Sequence, residues 1–314
     1  MSTYNETESN IRESVESILS QTLSEFELIV VNDNPIRTEI KSIFDSYDDS
    51  RIHFYQNPLN IGLAMSMNKA AKMAKSNIFV RMDADDIAQP TRLEKQYQTI
   101  RDNTYDFIFS DYSYIDEQSV LIEDISEHQY YTSEELSKVL ARVNVIHHPT
   151  VMFTRAIFEK VGGYRDFPCS QDADLWFRMQ EVGCRFYMIN EKLLLYRVNS
   201  NSVSNTRWYQ QQLTCNYIYD LSIERLQNGG KDSFSIVSYN KYLQRWGLGD
   251  FNKEKKLRRD YELLSKANKY ITQGYTISGL SIRIWVFLTS VYMRKHILQV
   301  KKKASLLKNK NNRK

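Results

Sequence analysis

The stretch "NIFVRMDADDIAQPTRLEKQ", residues 77–96, drives an apolar segment into three carboxylates, Asp83, Asp85 and Asp86. A buried strand reads this way when its carboxyl end opens into a site, and in open α/β sheets ligands bind outside the carboxyl ends of the strands. Pro90 then suits the first turn of a helix whose Leu93, Tyr97 and Ile100 share a face. Like charges this close repel unless a cation or buried donors compensate. A turn in which Asp83 or Asp86 caps the next helix explains the acids about as well as an ion site does. With no His or Cys nearby, the cation such a site would take is a hard one, Mg2+ or Mn2+, rather than zinc.

Outward from this stretch, short apolar strands alternate with helical patterns from the start to about residue 200, which predicts an α/β fold with a mostly parallel sheet flanked by helices. "FELIVVND" (26–33) and "IHFYQ" (52–56) read as strands, and Ile11, Val15, Ile18 and Leu19 repeat at helical spacing. "DFIFSDYSYID" (106–116), "TVMFTR", "RFYMI" and "LLLYRV" read as further strands. Thr132 with Glu135 forms a capping box, and "QDADLWFRMQEVG" is a helix stopped by Gly183. Beyond about residue 205 the strand signals vanish, leaving two or three helical segments with a break at Gly229 and Gly230. The predicted organisation is a catalytic domain over 1–204 and a helical C-terminal region with a basic tail over 205–314.

The chain has 314 residues, a quarter of them charged, which suits one large domain with an appendage. Its three cysteines form no metal or disulfide pattern, so a reducing, cytoplasmic setting is the simplest expectation. No signal-like start and no run of about 18 apolar residues is visible. Residues 294–314 hold nine Lys or Arg and no acid, leaving 33 basic against 38 acidic residues before them. No Walker or G-x-G-x-x-G loop is present, which argues against kinases and dinucleotide dehydrogenases.

Several ordered stretches carry a family pattern: "YNE" (4–6), "SILSQT" (17–22), "FELIVVND", "NIGLA" (60–64), "RMDADDIAQPTRLEKQ", "HHPTVMFTRAIFEKVGGY" (147–164) and "QDADLWFRM" (171–179). Together they resemble the family 2 glycosyltransferases with the GT-A fold, especially the bacterial surface-polysaccharide type. The resemblance implies that Asp33 hydrogen-bonds the nucleotide base or ribose, that Tyr4 lies near the base, and that Asn60 and Gly62 belong to a loop beside the nucleotide. It implies that Asp83 faces the ribose and Asp85 the metal, Mn2+ or Mg2+, with a nucleotide-diphosphate sugar, a UDP-sugar, as donor. Arg81 is placed to pair with these acids or with phosphate, and a strand arginine balancing its neighbours is an equal reading. His148 falls in a segment that approaches the acceptor or diphosphate in the family, though a lone histidine is more often structural. The pattern also opens with an apolar strand before "YNE". Met1 stands three residues before Tyr4, so the resemblance implies a catalytic domain lacking its first strand, through a start upstream of Met1 or, less favoured, a degraded enzyme.

Glycosyl transfer needs a base for the acceptor hydroxyl, and Asp or Glu can serve. In a helix over "DADLWFRM", Asp172 shares a face with Leu175, Trp176 and Met179, whereas Asp174 shares one with Arg178 and can form an i,i+4 pair. Asp172 is therefore the expected base, with helix capping its alternative role. That choice agrees with the family motif, where the second acid of Glu-Asp is the base and where Gln171 here replaces the Glu. The expected reaction is a single inverting displacement onto a glycan or lipid-linked acceptor, with a catalytically inactive scaffold subunit as the alternative. The apolar stripe from Gly279 to about Val300, running into "KKKASLLKNK", reads as core packing or as peripheral contact with the inner face of an anionic membrane. Nothing in the resemblance supports nucleic-acid binding.

Overall fold

The computed structural model describes residues 1–122, 129–198 and 206–311. They form two compact units, Met1–Leu140 with Asn144–Asn205, and Ala141–Val143 with Thr206–Lys314. The domain boundary expected near residue 205 lies outside the described residues, as do the last three residues of the basic tail.

In the first unit, three parallel strands lie in the order β1 (Ser2–Thr3), β2 (Leu28–Asn32) and β3 (Ile52–Gln56). Every residue of β2 is buried, as its unbroken β-branched run requires. The strand before Tyr4 is two residues long and covers only the far end of β2, with Ser2 opposite Val31 and Thr3 opposite Asn32. Helix α1 (Glu8–Leu19) starts where the Thr7 side chain accepts from Asn10 N–H, and it buries Ile11, Val15 and Ile18. These pack with Val30, with Ile40 and Phe44 of α2 (Ile40–Asp45), and with Met82 and Ala84. Helix α3 (Leu63–Met73) begins at Gly62, whose φ of 82° suits a residue without Cβ.

A second sheet holds five strands in the order β4, β7, β6, β8, β5, comprising Ile78–Val80, Val151–Thr154, Phe107–Ile115, Phe186–Arg197 and Ile87–Ala88. Only β6 with β8 is parallel; the other three pairings are antiparallel, so the parallel character expected of the sheet holds for β1, β2 and β3 and for the β6–β8 pair. The two closing strands read as "RFYMI" and "LLLYRV" are one continuous β8. Polar Asn190 and Glu191, which look like a turn, are absorbed by a register shift: Ser110 faces Ile189 and Asp111 faces Lys192. Helices α4 (Arg92–Ile100), α5 (Ser133–Leu140), α6 (Arg155–Lys160) and α7 (Gln171–Glu181) complete the unit. Thr132 and Glu135 exchange hydrogen bonds at the start of α5, as their spacing requires. Trp176 of α7 sits edge-on to Phe107 with ring centres 4.6 Å apart, anchoring α7 to the sheet.

The second unit is helical: α8 (Trp208–Gln227), α9 (Ile236–Trp246), α10 (Phe251–Thr272), α11 (Thr276–Thr289) and α12 (Val291–Asn311). Gly229 and Gly230, both at positive φ, follow α8. Ser235 caps α9 and Asp250 caps α10. Among the described residues, no single helix is long and apolar enough to cross a membrane.

Candidate active site

The acids of "DADD" stand between the end of β4 and β5, and each is held by different means. Ser14 of α1 donates to the Asp83 carbonyl at 2.8 Å, and the Asp83 carboxylate pairs with the buried guanidinium of Arg81. Asp86 is buried, and its Oδ1 accepts from Arg197 N–H at 2.9 Å. It does not cap α4, whose N-cap is Thr91 and whose start carries no side-chain cap bond. Burial, then the charges of Asp83 and Glu6, push the Asp85 carboxyl up to about 7. Burial, Asp83 and Asp85 push Asp86 up as well. Asp85 and Asp86 are thus short of compensating positive charge.

A hard divalent ion would supply that charge. Asp86 Oδ2 is buried without a partner among the described residues, and burial with the neighbouring Asp83 charge raises the Asp85 carboxyl. Among the described residues no three His, Cys, Asp or Glu side chains are grouped to hold a metal on their own. One or two carboxylates completed by phosphate oxygens is the usual arrangement for Mg2+, and Asp83 with Asp85 fits it.

Two arginines hold this strand end in place. Arg92, fully buried on α4, donates to the carbonyls of Arg81 at 2.8 Å and Pro149 at 2.6 Å, tying β4 to the turn at His148–Thr150. Arg197, at the end of β8, donates through Nε to the Asp85 carbonyl at 2.7 Å and through Nη2 to Glu13 at 2.8 Å. Sequence reasoning missed both. The signal for Arg197 was one cation ending the apolar run "LLLYRV"; for Arg92 there was none, because an arginine in a first helical turn reads as solvated.

Asp33 is buried at the end of β2, and its carboxylate accepts from Asn57 Nδ2 at 2.8 Å, Ile61 N–H at 2.9 Å and Gly62 N–H at 2.8 Å. It thus shapes the Asn60–Gly62 loop directly, and Asn60 Oδ1 accepts from Gly62 N–H at 3.0 Å. Tyr4 is 42% exposed, with its N–H held by Glu6 at 2.7 Å. Glu6 is a second missed residue type: its carboxyl is pushed up by burial, with Asp83 adding to the effect.

Asp172 lies in the first turn of α7, one residue past Gln171, and Ser170 rather than Asp172 is the N-cap. Burial pushes its carboxyl up, and Asn144 Nδ2 approaches it at 3.4 Å. Asp174 accepts from Arg178 Nε at 2.8 Å, as expected, but it is fully buried and Asp172 is not. Both pairing and burial therefore separate the two acids, with Asp174 the buried partner of Arg178. His148 Nε2 is 2.7 Å from Tyr164 Oη, and burial followed by the Arg81 charge lowers its pKa, leaving the ring neutral. Tyr164 in turn feels Arg81, Asp172 and Asp83.

The "Glycosyl transferase family 2" model matches residues 1–162. The chain belongs to glycosyltransferase family 2. This glycosyltransferase is 34% identical over 237 residues to an uncharacterized glycosyltransferase of Methanocaldococcus jannaschii, covering 70% of this chain and 81% of the relative. It is also 34% identical over 198 residues to the O-antigen biosynthesis glycosyltransferase WbnJ of Escherichia coli, covering 62% of this chain and 76% of WbnJ. Its fold matches S. aureus TarS 1-349, solved in complex with UDP-GlcNAc, with a TM-score of 0.62 at 14% identity over 99% of this chain and 90% of that one. The α/β architecture is thus the GT-A fold, with a helical C-terminal region.

Proposed function

We propose that this glycosyltransferase is an inverting, metal-dependent enzyme that moves a sugar from a nucleotide-diphosphate donor, a UDP-sugar, to a hydroxyl of a glycan or lipid-linked acceptor in surface-polysaccharide assembly. The observation that carries the reading is the cluster of acids at the end of β4, where Asp83 pairs with the buried Arg81 and Asp86 buries Oδ2 without a partner among the described residues. The names of WbnJ and of the Bacillus subtilis relative, a putative teichuronic acid biosynthesis glycosyltransferase, support the pathway class, and the sugar nucleotide in TarS supports the donor class.

Asp172 takes the proton of the acceptor hydroxyl as that oxygen attacks the anomeric carbon, and the bond to the diphosphate breaks on the opposite face. A carboxylate whose pKa is raised by burial is a stronger base than a solvated one. Asp33 holds the Asn60–Gly62 loop against the nucleotide, and Arg81 lies where negative charge grows on the departing diphosphate. Mn2+ or Mg2+ held by Asp85 and Asp83 would neutralise that charge further. Incubating the protein with UDP-sugars and Mn2+ and following UDP release tests the reading; nucleotide binding without any release or transfer would identify an inactive binding subunit instead.

Peripheral contact with an anionic membrane belongs to the same reading. Ile277 is 83%, Ile284 59% and Leu288 64% exposed on α11, and residues 276–311 carry no Asp or Glu. An apolar exposed helix followed by lysines suits an anionic headgroup layer.

A further inference from the structure

Helix α3 follows directly on the Asn60–Gly62 loop, and one side chain on its second turn reaches a segment 96 residues away. Asn68 Nδ2 donates to the Tyr164 carbonyl at 2.9 Å, and Asn68 Oδ1 accepts from Tyr164 N–H at 2.9 Å. Tyr164 is 4% exposed, so both of its backbone groups need partners inside the protein, and one amide serves both. The approach is close: a Cβ at Gly163 would stand 2.7 Å from Asn68 Oδ1. Gly162 and Gly163 take φ of 77° and 70°, so the clamp acts where two residues without Cβ deliver the chain to Tyr164.

Beyond the clamp, the Tyr164 hydroxyl stands 2.7 Å from His148 Nε2. Burial pushes the phenol up and the imidazole down, so the phenol keeps its proton and donates to a neutral ring. The ring's own proton then resides on Nδ1. His148 also lies edge-on to Trp176, with ring centres 5.9 Å apart, and Trp176 stands one turn along α7 from Asp172. Asn144, on the chain segment that leads to His148, brings Nδ2 to 3.4 Å from Asp172 Oδ2. We infer that Asn68 is a positioning residue for glycosyl transfer: by clamping the Tyr164 backbone it holds the His148 ring in one tautomer, with Nδ1–H as a preset donor for the acceptor sugar. The inference rests on the reading of Asp172 as the base. A few placed polar groups orient a bound ligand, and a small displacement of one is felt in the chemical step. An amide that merely satisfied buried backbone would affect stability alone.

The test reads the His148 tautomer by long-range nitrogen–proton NMR correlation, with the signal assigned through His148→Gln. In parallel it measures UDP release from UDP-glucose, UDP-galactose and their N-acetylamino forms. The parent should show the Nδ1–H tautomer alone. Asn68→Ala and Gly163→Ala, which break one contact from its two sides, should mix the tautomers and lower kcat about tenfold, with KM changed by less than about twofold. Asn68→Asp keeps the acceptor for Tyr164 N–H and should lose less in both readouts. A parental tautomer in Asn68→Ala would overturn the inference whatever its melting temperature. So would a parental kcat in a variant whose tautomers mix. A parent with the expected tautomer response that releases no UDP from any donor would overturn the transfer reading itself and still support the hold of Asn68 on His148.

Discussion

The backbone N–H of Arg197 lies 2.9 Å from Asp86 Oδ1, while the same residue's Nε reaches the carbonyl of Asp85 at 2.7 Å. One residue at the end of β8 thus fixes the two positions that follow Asp83 and Ala84. Its guanidinium also meets the Asp116 carbonyl at 3.0 Å and Glu13 at 2.8 Å, and its side chain is 1% exposed. Replacing Arg197 with Ala leaves buried acceptors unpaired and should cost roughly 3 kcal/mol in urea unfolding. Arg197→Lys should recover only part of this, because one ammonium cannot reach three segments.

Asp85 gives the site a pH dependence whose sign is fixed by its raised pKa. Its carboxyl moves from 3.8 to about 7, so between those values the folded chain holds more protons than the unfolded one. Without metal, its contribution to stability is therefore greatest below the unfolded value and is lost as pH rises toward 7. Metal needs the carboxylate, so Mn2+ affinity should rise about tenfold from pH 6 to pH 8 by calorimetry. Asp85→Asn should abolish that binding at both pH values.

The two acids of "QDAD" separate in opposite ways. Asp172→Asn should fold normally, bind donor, and lose about 10²- to 10⁴-fold in transfer rate. Asp174→Asn removes the fully buried partner of Arg178 and should cost about 3–5 kcal/mol of stability. Circular dichroism with UDP release distinguishes these outcomes, and a stable, active Asp172→Asn would remove Asp172 from the mechanism.

Tyr164→Phe deletes the hydroxyl that meets His148 at 2.7 Å. With the phenol gone, the buried imidazole loses a partner, and roughly 1–2 kcal/mol of stability should go with it. His148→Gln, which keeps a hydrogen-bonding group in place, should lose less than His148→Leu in the same thermal measurement.

Vesicle flotation checks the C-terminal helices. The Ile284→Asp, Leu288→Asp double variant should bind phosphatidylglycerol vesicles about tenfold more weakly than the parent chain. Binding of the parent should fall as salt rises, because lysine attraction to the headgroups is screened.

The strand-to-acid transitions at Asp33 and Asp83 to Asp86 were legible because burial and the opening of a sheet edge leave an abrupt apolar-to-polar step. The capping boundary at Thr132 and the Asp174–Arg178 pair were legible because both are local in sequence. Arg92 and Arg197 were not: their partners stand 57 residues away at Pro149 and 111 residues away at Asp86. The continuous β8 was hidden for a related reason, since the register shift that absorbs Asn190 and Glu191 depends on β6. Local chemistry is written in neighbours, whereas these contacts are set by the sheet.

Arg197 holds Asp116 and Glu117 by their backbone carbonyls, and among its contacts to this turn only Ser119 is reached through a side chain. A grip on main-chain oxygen is indifferent to side-chain identity. Position 117 is therefore free to drift in sequence while the turn keeps its place, whereas Asp116 also holds the turn through its own carboxylate, which accepts from Gln118 N–H and Val120 N–H at 2.9 Å each; the enzyme can acquire new surface chemistry at 117 without rebuilding the acidic strand end that the same arginine supports.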